Sequence, residues 1–169
     1  MIITGKTWKY GNDINTDVIY PGRYTYTLIS EEEMGMHALE DLDPVFNKEG
    51  APGDIIVAGK NWGCGSAREQ AVKCLKVRGV GAIIAKSFSR IYYRNCLNEG
   101  LLTVVCPEAV DNITAGETVS IDFNRSVIRT NAGEYRFSPY PNYVKGLVEN
   151  GGLLPYVTKT LREQGKLKT

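Results

Sequence analysis

The sequence predicts an α/β fold in which a parallel βαβαβ unit is joined to additional β-strands. Short apolar runs at 55–58, 82–85 and 101–105 alternate with patterns of helical period, which is typical of parallel strands linked by crossover helices. After Cys106 the pattern changes to shorter strand-like runs separated by turn residues. The chain has 169 residues and no internal repeat, so we expect a single domain over residues 1–169.

The first third of the chain begins with a candidate strand, a polar turn and an aromatic loop, at residues 2–10, 12–17 and 20–27. Ser30, followed three residues later by Glu33, matches the capping box that often begins a helix. We therefore expect a helix from Ser30 to about Leu42. The glycines and proline of residues 47–54 predict a loop before the next strand.

The middle of the chain has the most regular pattern. The strand 55–58 leads into a glycine-rich loop, and Ser66 and Glu69 match a second capping box. Ser66 is therefore predicted to be the N-cap of a helix over 67–78. A second helix is predicted over 87–99, because a glycine follows it directly and the next apolar run begins there.

The last third is predicted to form a small antiparallel sheet followed by two helices. Apolar runs and intervening turn residues give three strands, at 118–123, 127–130 and 135–137. Helical patterns follow at 141–149 and 155–164. Residues 165–169 have no such pattern, and we expect this tail to fray.

The overall composition excludes several classes of function. A net charge of +1 and the absence of a Lys/Arg-rich block give no indication of nucleic-acid binding. No apolar run approaches the ~20 residues that cross a bilayer. The first residues lack the pattern of a secretory signal, so we expect a cytoplasmic protein that does not bind membranes.

The cysteines and the single histidine do not form a metal-binding pattern. The four cysteines are far apart, no Cys-x-x-Cys occurs, and His37 is the only histidine. We therefore expect no metal site on this chain and interpret the cysteines as free thiols. Cys64 is interpreted as a small packing residue, and His37 as a histidine without a functional role.

The loop Gly59–Glu69 is the candidate functional site, and its residue types indicate anion binding. Its three glycines permit backbone conformations that other residues resist. A helix beginning at Ser66 would present free N–H groups, and Arg68 adds a planar fork of donors that suits a carboxylate. The loop matches neither the phosphate loop of nucleotide-binding proteins nor the dinucleotide fingerprint, because the required glycine and lysine spacings are absent.

Three stretches of this chain together resemble the aconitase superfamily. Residues 63–69, Gly-Cys-Gly-Ser-Ala-Arg-Glu, are similar to its Gly-Ser-Ser-Arg-Glu motif. Residues 13–24 are similar to its Asp-x-x-Thr-Asp-x-Ile-x-Pro-Gly-Arg-Tyr, and residues 87–95 to its Ser-Phe-x-x-Ile-x-x-x-Asn helix. Within the superfamily, the chain most resembles the separate small subunits of the isopropylmalate dehydratase and homoaconitase families.

The resemblance implies a swivelling β/β/α domain that works as half of a hydro-lyase. Such enzymes move a hydroxyl group between adjacent carbons of a di- or tricarboxylic hydroxy acid by dehydration and rehydration. The resemblance also implies a large catalytic subunit that carries a [4Fe–4S] cluster, in a heterodimer or heterotetramer. No cofactor is expected on this chain itself. The predicted reaction is the isomerisation of isopropylmalate in leucine biosynthesis.

The resemblance also assigns catalytic roles. Ser66 would be the base that removes the proton next to a carboxylate, and Arg68 would bind a substrate carboxylate. Asp17 would orient these two residues. Gly65 and Ala67 would contact the substrate through the loop backbone, although Ala67 replaces the second serine of the family motif, which puts the contribution of that hydroxyl in doubt.

Substrate choice is predicted to depend on the loop Tyr24–Thr27, within the aromatic loop at 20–27. Arg23, Tyr24 and Tyr26 would lie beside the variable side group of the substrate. Relatives of the homoaconitase type have an arginine at the position of Tyr26, where it pairs with an extra carboxylate. Tyr26 therefore favours a neutral, branched side group such as isopropyl. Three other acids are alternative substrates: homoaconitate, dimethylmalate and methylcitrate. An alternative function is that of a carboxylate-binding module without catalysis.

Overall fold

Seven strands form one mixed sheet in the computed structural model, which describes residues 1–27 and 30–167. The strands are β1 (Ile2–Lys9), β2 (Ile55–Ala58), β3 (Ala82–Ala85), β4 (Thr103–Val105), β5 (Thr118–Asp122), β6 (Val127–Thr130) and β7 (Gly133–Arg136). Their order across the sheet is β4-β3-β2-β1-β5-β6-β7. Neighbours from β4 to β1 are parallel, and neighbours from β1 to β7 are antiparallel.

Eight α-helices lie within the same described residues. They are α1 (Thr16–Ile19), α2 (Glu31–Met36), α3 (Pro44–Glu49), α4 (Gln70–Val77), α5 (Arg90–Glu99), α6 (Pro107–Asn112), α7 (Asn142–Glu149) and α8 (Leu153–Glu163). A 3₁₀ turn at Gly22–Tyr24 follows α1. None of the helices in this part of the chain is long and apolar enough to cross a membrane.

The predicted parallel βαβαβ unit and the additional strands are both confirmed. The unit consists of β2, α4, β3, α5 and β4, with all three strands parallel. The strand predicted at 2–10 is present as β1, and it adds a fourth parallel strand, because it pairs parallel with β2 over Thr7–Lys9. This pairing was not predicted. On its other edge β1 pairs antiparallel with β5, so this strand joins the two halves of the sheet.

Helices and turns cover both faces of the parallel strands, which produces two apolar cores. Ile56 and Ile83 face one core with α4 and α5, while Ile55 and Ile84 face the other with α6. All four side chains are fully buried. Burial of each isoleucine stabilises the fold by roughly 1.5–3 kcal/mol, which explains why these strands are continuously apolar.

Several predicted helix boundaries were wrong. The capping box of Ser30 and Glu33 is present, but α2 ends at Met36 rather than near Leu42. The helix cannot continue because Leu39 adopts a left-handed φ of 56° while burying its side chain in the core. A further helix, α3, occupies part of the predicted loop 47–54, because Asp43 caps it.

Two more helices were not predicted, and the predicted start of another lies too early in the chain. The polar turn at 12–17 runs into the short helix α1, whose N-terminus is capped by Asn15, and α6 follows β4. The second crossover helix begins at Arg90 rather than at 87, because Ser89 is its N-cap. Residues 168 and 169 of the tail that we expect to fray lie outside the described residues.

Candidate active site

The candidate site is built from loops that follow three neighbouring parallel strands at their carboxyl ends. The central loop is Gly59–Glu69, after β2. On the β1 side, the backbone N–H of Gly63 donates to Ile14 O at 2.8 Å, and that of Thr16 donates to Cys64 O at 2.8 Å. The parallel pairing of the sheet therefore continues past the strand ends, and these bonds fix the central loop against its neighbour.

The loop after β3 holds the other side of the central loop. The backbone N–H of Trp62 donates to Ser87 O at 3.0 Å, and that of Ser89 donates to Trp62 O at 2.9 Å. The Ser89 hydroxyl donates to Gly63 O at 2.6 Å. The fully buried indole of Trp62 anchors this stretch in the core. The central loop is thus bonded on both sides, as a binding loop on a rigid support should be.

Two glycines permit this close packing. Gly63 and Gly65 have φ values of +75° and +90°, which other residues rarely adopt. A Cβ atom at Gly65 would lie 2.5 Å from Asn15 Oδ1, and one at Gly63 would lie 2.1 Å from Cγ of Tyr92. These positions therefore require glycine both for conformation and for space.

The prediction that Ser66 is a helix N-cap was wrong. Helix α4 begins at Gln70, and its N-cap, Glu69, makes no side-chain capping bond. The carbonyl of Ser66 instead accepts a hydrogen bond from the Thr16 hydroxyl at 2.9 Å, which keeps this residue in an irregular loop. In the described part of the chain, the backbone N–H groups of residues 65–68 have no protein acceptor. The exposed hydroxyl of Ser66 therefore lies within a short stretch of free donors.

Arg68 has a partner but keeps donors available. Its Nη1 lies 2.6 Å from Oδ1 of Asp17, and the arginine side chain is only 23% exposed. The contact is an ion pair, and this buried nitrogen has no hydrogen-bond partner among the described residues. The other guanidinium nitrogens also make no hydrogen bond there. The charge is partly balanced, while the fork remains able to bind a ligand.

A cavity of about 550 Å³ opens beside this loop. Its lining contains three arginines, one exposed serine hydroxyl and no carboxylate among the described residues. The lining residues are Thr16, Asn61, Gly63, Gly65, Ser66, Ala67, Arg68, Phe88, Ser89, Arg90, Ile91, Tyr92, Arg94 and Asn95. A cavity of this size and charge suits a small organic anion.

The structure brings most of the predicted catalytic residues together. Gly65, Ser66, Ala67 and Arg68 line the cavity, and Asp17 reaches it through its ion pair with Arg68. This arrangement agrees with the anion site expected from the sequence. The roles in catalysis remain predictions.

The predicted specificity residues lie outside the cavity lining. The guanidinium of Arg23 is bound by the carboxylates of Glu40 and Asp41, so its charge is already balanced. The ring of Tyr24 stacks on His37 with ring centroids 3.8 Å apart. The side chain of Tyr26 is 97% exposed. In the isolated chain, none of these three side chains therefore lines the cavity.

Sequence reasoning missed Arg90 and Arg94. Both are exposed, lie one turn apart on α5 and line the cavity. The available indication was an arginine in the first turn of a helix, where the helix dipole disfavours it. Together with Arg68, these residues make the cavity strongly cationic.

The residues that the structure describes do not suit an iron–sulfur cluster. In the described ranges, no group of three or more His, Cys, Asp or Glu side chains is placed to hold a metal ion. Cys74 and Cys96 are fully buried, and burial raises the pKa of both thiols, which disfavours the thiolate that a metal requires. No residue here is therefore assigned to a cluster.

Comparisons with known proteins agree on one family. Residues 10–109 match the family described as the aconitase C-terminal domain. The chain is 46% identical over 168 residues to a 3-isopropylmalate dehydratase small subunit of Heliobacterium modesticaldum, which covers 98% of this chain and 100% of the relative. It is 45% identical over 163 residues to small subunit 1 of the same enzyme from Archaeoglobus fulgidus, covering 95% and 99%.

A solved structure is also similar. It is that of 3-isopropylmalate dehydratase from Methanocaldococcus jannaschii, with a TM-score of 0.92 and 39% sequence identity. The match covers 98% of this chain and 99% of the solved chain. The likeness therefore extends over the whole fold and not only over the candidate site.

Proposed function

Because this chain belongs to the family of aconitase C-terminal domains, we propose that it is the small subunit of a 3-isopropylmalate dehydratase. The predicted family and the predicted swivelling fold are confirmed by the full-length matches. In this proposal the assembled enzyme is a hydro-lyase that interconverts 2- and 3-isopropylmalate in leucine biosynthesis. It works in the cytoplasm together with a large subunit that carries a [4Fe–4S] cluster.

The cationic cavity carries this proposal. A dicarboxylic acid needs donors for its carboxylates, and the cavity offers the Arg68 fork, the free N–H groups of residues 65–68 and the arginines of α5. The single hydroxyl of Ser66 lies among these donors. This set can bind an acid and stabilise negative charge on oxygen, but it contains no group that would help a hydroxide to leave.

We infer the following roles for the residues of this chain. Arg68 binds one substrate carboxylate through two N–H groups, and the Asp17 carboxylate holds the guanidinium in place. Ser66 acts as its alkoxide: Oγ takes the proton from the carbon next to that carboxylate and becomes a hydroxyl, and the electron pair of the broken C–H bond forms the carbon–carbon double bond as hydroxide leaves. Water then adds to the double bond in the opposite sense: the proton on Ser66 Oγ goes to the carbon that lost the hydroxide, and hydroxide adds to the carbon that lost the proton, which requires the intermediate to turn over relative to Ser66. Departure of the hydroxide requires a Lewis acid, which is the chemistry that a cluster with an open iron supplies.

Serine is ordinarily too weak a base for this step, so its surroundings must lower the energy of its anion. The donors at residues 65–68 and the Arg68 charge provide that stabilisation once water is excluded. The loop at 20–27 supports a neutral side group on the acid. Tyr26 is neutral, and the positive charge of Arg23 is already balanced by two carboxylates. The loop therefore offers no free cation for an extra carboxylate on the acid.

The test is an anaerobic activity assay with a cluster-loaded large subunit of the isopropylmalate type. Wild type is expected to convert 2- and 3-isopropylmalate in preference to homoaconitate, citrate or dimethylmalate. Ser66→Ala should lose roughly 10³-fold or more in kcat while still forming the complex. Ser138→Ala, at an exposed serine away from the cavity, is the matched control and should keep full activity.

Preference for another acid would overturn the substrate assignment and leave the mechanism in place. Full turnover by Ser66→Ala would remove serine as the base. A complex that converts none of these acids would refute the catalytic proposal and favour a carboxylate-binding module.

A further inference from the structure

Two carboxylates outside the cavity bind the loop that carries Arg23. Nη1 and Nη2 of Arg23 lie 2.7 and 2.8 Å from the two carboxylate oxygens of Asp41, which is a bidentate pair. Nη2 also donates to Glu40 Oε1. Three charge-assisted hydrogen bonds therefore hold one exposed arginine to the segment that follows α2.

The aromatic ring next to this arginine is held by the same segment. Tyr24 and His37 stack with ring centroids 3.8 Å apart and an angle of 16° between their planes. The Tyr24 hydroxyl donates to Glu40 Oε1 at 3.2 Å, and His37 Nδ1 bonds the other oxygen of that carboxylate. Partial burial would raise the pKa of Glu40, but the bonds from His37, Arg23 and Tyr24 together lower it, so the carboxylate stays charged.

The segment that provides these groups is fixed in the core. Ala38 and Leu39, between His37 and Glu40, are fully buried. The Leu39 N–H donates to Ile19 O at 2.9 Å, and its left-handed φ of 56° turns the chain so that the residues on either side face the loop. A conformation that leucine disfavours persists only where the surrounding structure imposes it.

The beginning of the held loop touches the candidate catalytic arginine. A Cβ atom at Gly22 would lie 3.2 Å from Nη1 of Arg68 and 3.6 Å from Oδ1 of Asp17. Gly22 directly precedes Arg23, so a shift of the Arg23 side chain would move the backbone that packs on Arg68. Continuous contacts thus run from the segment after α2 to the anion site.

We propose that His37, Glu40 and Asp41 are positioning residues that hold the loop from Gly22 to Tyr26 against Arg68 and thereby determine which side group of the acid is accepted. This inference rests on the proposed function. Exposed ion pairs add little to global stability, and the Arg23 side chain is 50% exposed. The loop makes four hydrogen bonds and one ring stack with the segment after α2. We attribute these contacts to positioning of the loop, since they add little to the stability of the fold.

The first experiment measures substrate selectivity in the assembled enzyme. Asp41→Asn is expected to raise KM for isopropylmalate about fivefold to tenfold, and to lower its preference over dimethylmalate, with kcat within about twofold. His37→Ala should act in the same direction, while His37→Phe keeps the ring stack and should recover part of the effect. Glu134→Gln breaks another exposed arginine–carboxylate pair, Arg129–Glu134, and serves as the matched control.

The second experiment measures the order of the loop in the isolated chain. Trypsin should cleave after Arg23 faster in Asp41→Asn than in wild type or Glu134→Gln, as followed by mass spectrometry of the fragment ending at that residue. Unchanged cleavage would refute the holding role. Faster cleavage with unchanged KM and preference would refute the link to selectivity. If wild type converted no acid at all, the proposed function would fail, and the cleavage rates would still decide whether these residues hold the loop.

Discussion

Replacement of Arg68 with lysine tests bidentate binding of a carboxylate while the positive charge is kept. The guanidinium lies 2.6 Å from Asp17 and lines the cavity, with donors that have no acceptor among the described residues. An ammonium group is shorter in reach and offers a single nitrogen, so it cannot form the two parallel bonds. We therefore expect Arg68→Lys to stabilise the transition state less well and to lower kcat/KM, while the variant stays folded.

The size of the effect follows from the contacts. A hydrogen bond to a charged group contributes about 1.5–3 kcal/mol, so loss of one bond and poorer alignment of the other should cost about 2–3 kcal/mol, or about 30- to 150-fold in kcat/KM. The ion pair with Asp17 is half exposed on the aspartate side, and such pairs add at most about 1 kcal/mol to stability. The melting temperature should therefore fall by no more than about 2–4 °C.

The assay compares kcat/KM on isopropylmalate for Arg68→Lys, wild type and Arg129→Lys. The control changes an arginine that also pairs with a carboxylate but lies on β6, in the antiparallel part of the sheet. It should change neither kcat/KM nor subunit assembly. If kcat/KM of Arg68→Lys stayed within about twofold of wild type, bidentate carboxylate recognition by Arg68 would be wrong.

Two further outcomes are expected. Gly65→Ala should lower the free energy of unfolding in urea by about 1–3 kcal/mol and reduce kcat/KM at least tenfold. The reason is that Gly65 has a φ of +90° and a Cβ atom there would meet Asn15. The control is Gly116→Ala, which has a φ of +84° but open space around it, and it should change stability alone. With Ellman's reagent at pH 8, only the partly exposed Cys64 should react in a fast phase, and Cys64→Ser should abolish that fast phase. A second thiol that reacts quickly would contradict the burial of the other three. Burial raises the pKa of those remaining thiols, which are Cys74, Cys96 and Cys106.

The elements that were predicted correctly are those whose local sequence and burial agree. The run Ile55–Ala58 is continuously apolar because both faces of β2 are covered, and its predicted bounds match the structure. The hairpin strand Val127–Thr130 was also predicted with the correct bounds, since turn residues flank it. By contrast, α3 was missed, although Asp43 and Pro44 form a recognisable helix start.

The incorrect predictions have non-local causes. The capping box at Ser66 was a plausible local pattern, but its carbonyl is held by a hydroxyl fifty positions earlier in the chain, so the helix begins later. The interpretation of His37 as a histidine without a functional role stays untested, and its contacts with Tyr24 and Glu40, on which the role proposed above rests, could not be identified from sequence spacing. The residue types of the anion site could be recognised in the sequence. The contacts that hold the neighbouring loop at 20–27 could not, because they join residues that are distant in the sequence.

If the proposed function holds, the charges of the cavity give a physical reason for dividing the site between two chains. Arg68, Arg90 and Arg94 repel one another, and in the open cavity water screens that repulsion. Closing a partner over the cavity would remove the water and make this repulsion costly, although Asp17 partly balances the charge of Arg68. A dianionic acid in the cavity offsets this cost, so bound substrate and a closed interface stabilise each other. The same exclusion of water strengthens the donors around Ser66, which links the closing of the site to the chemistry proposed for it.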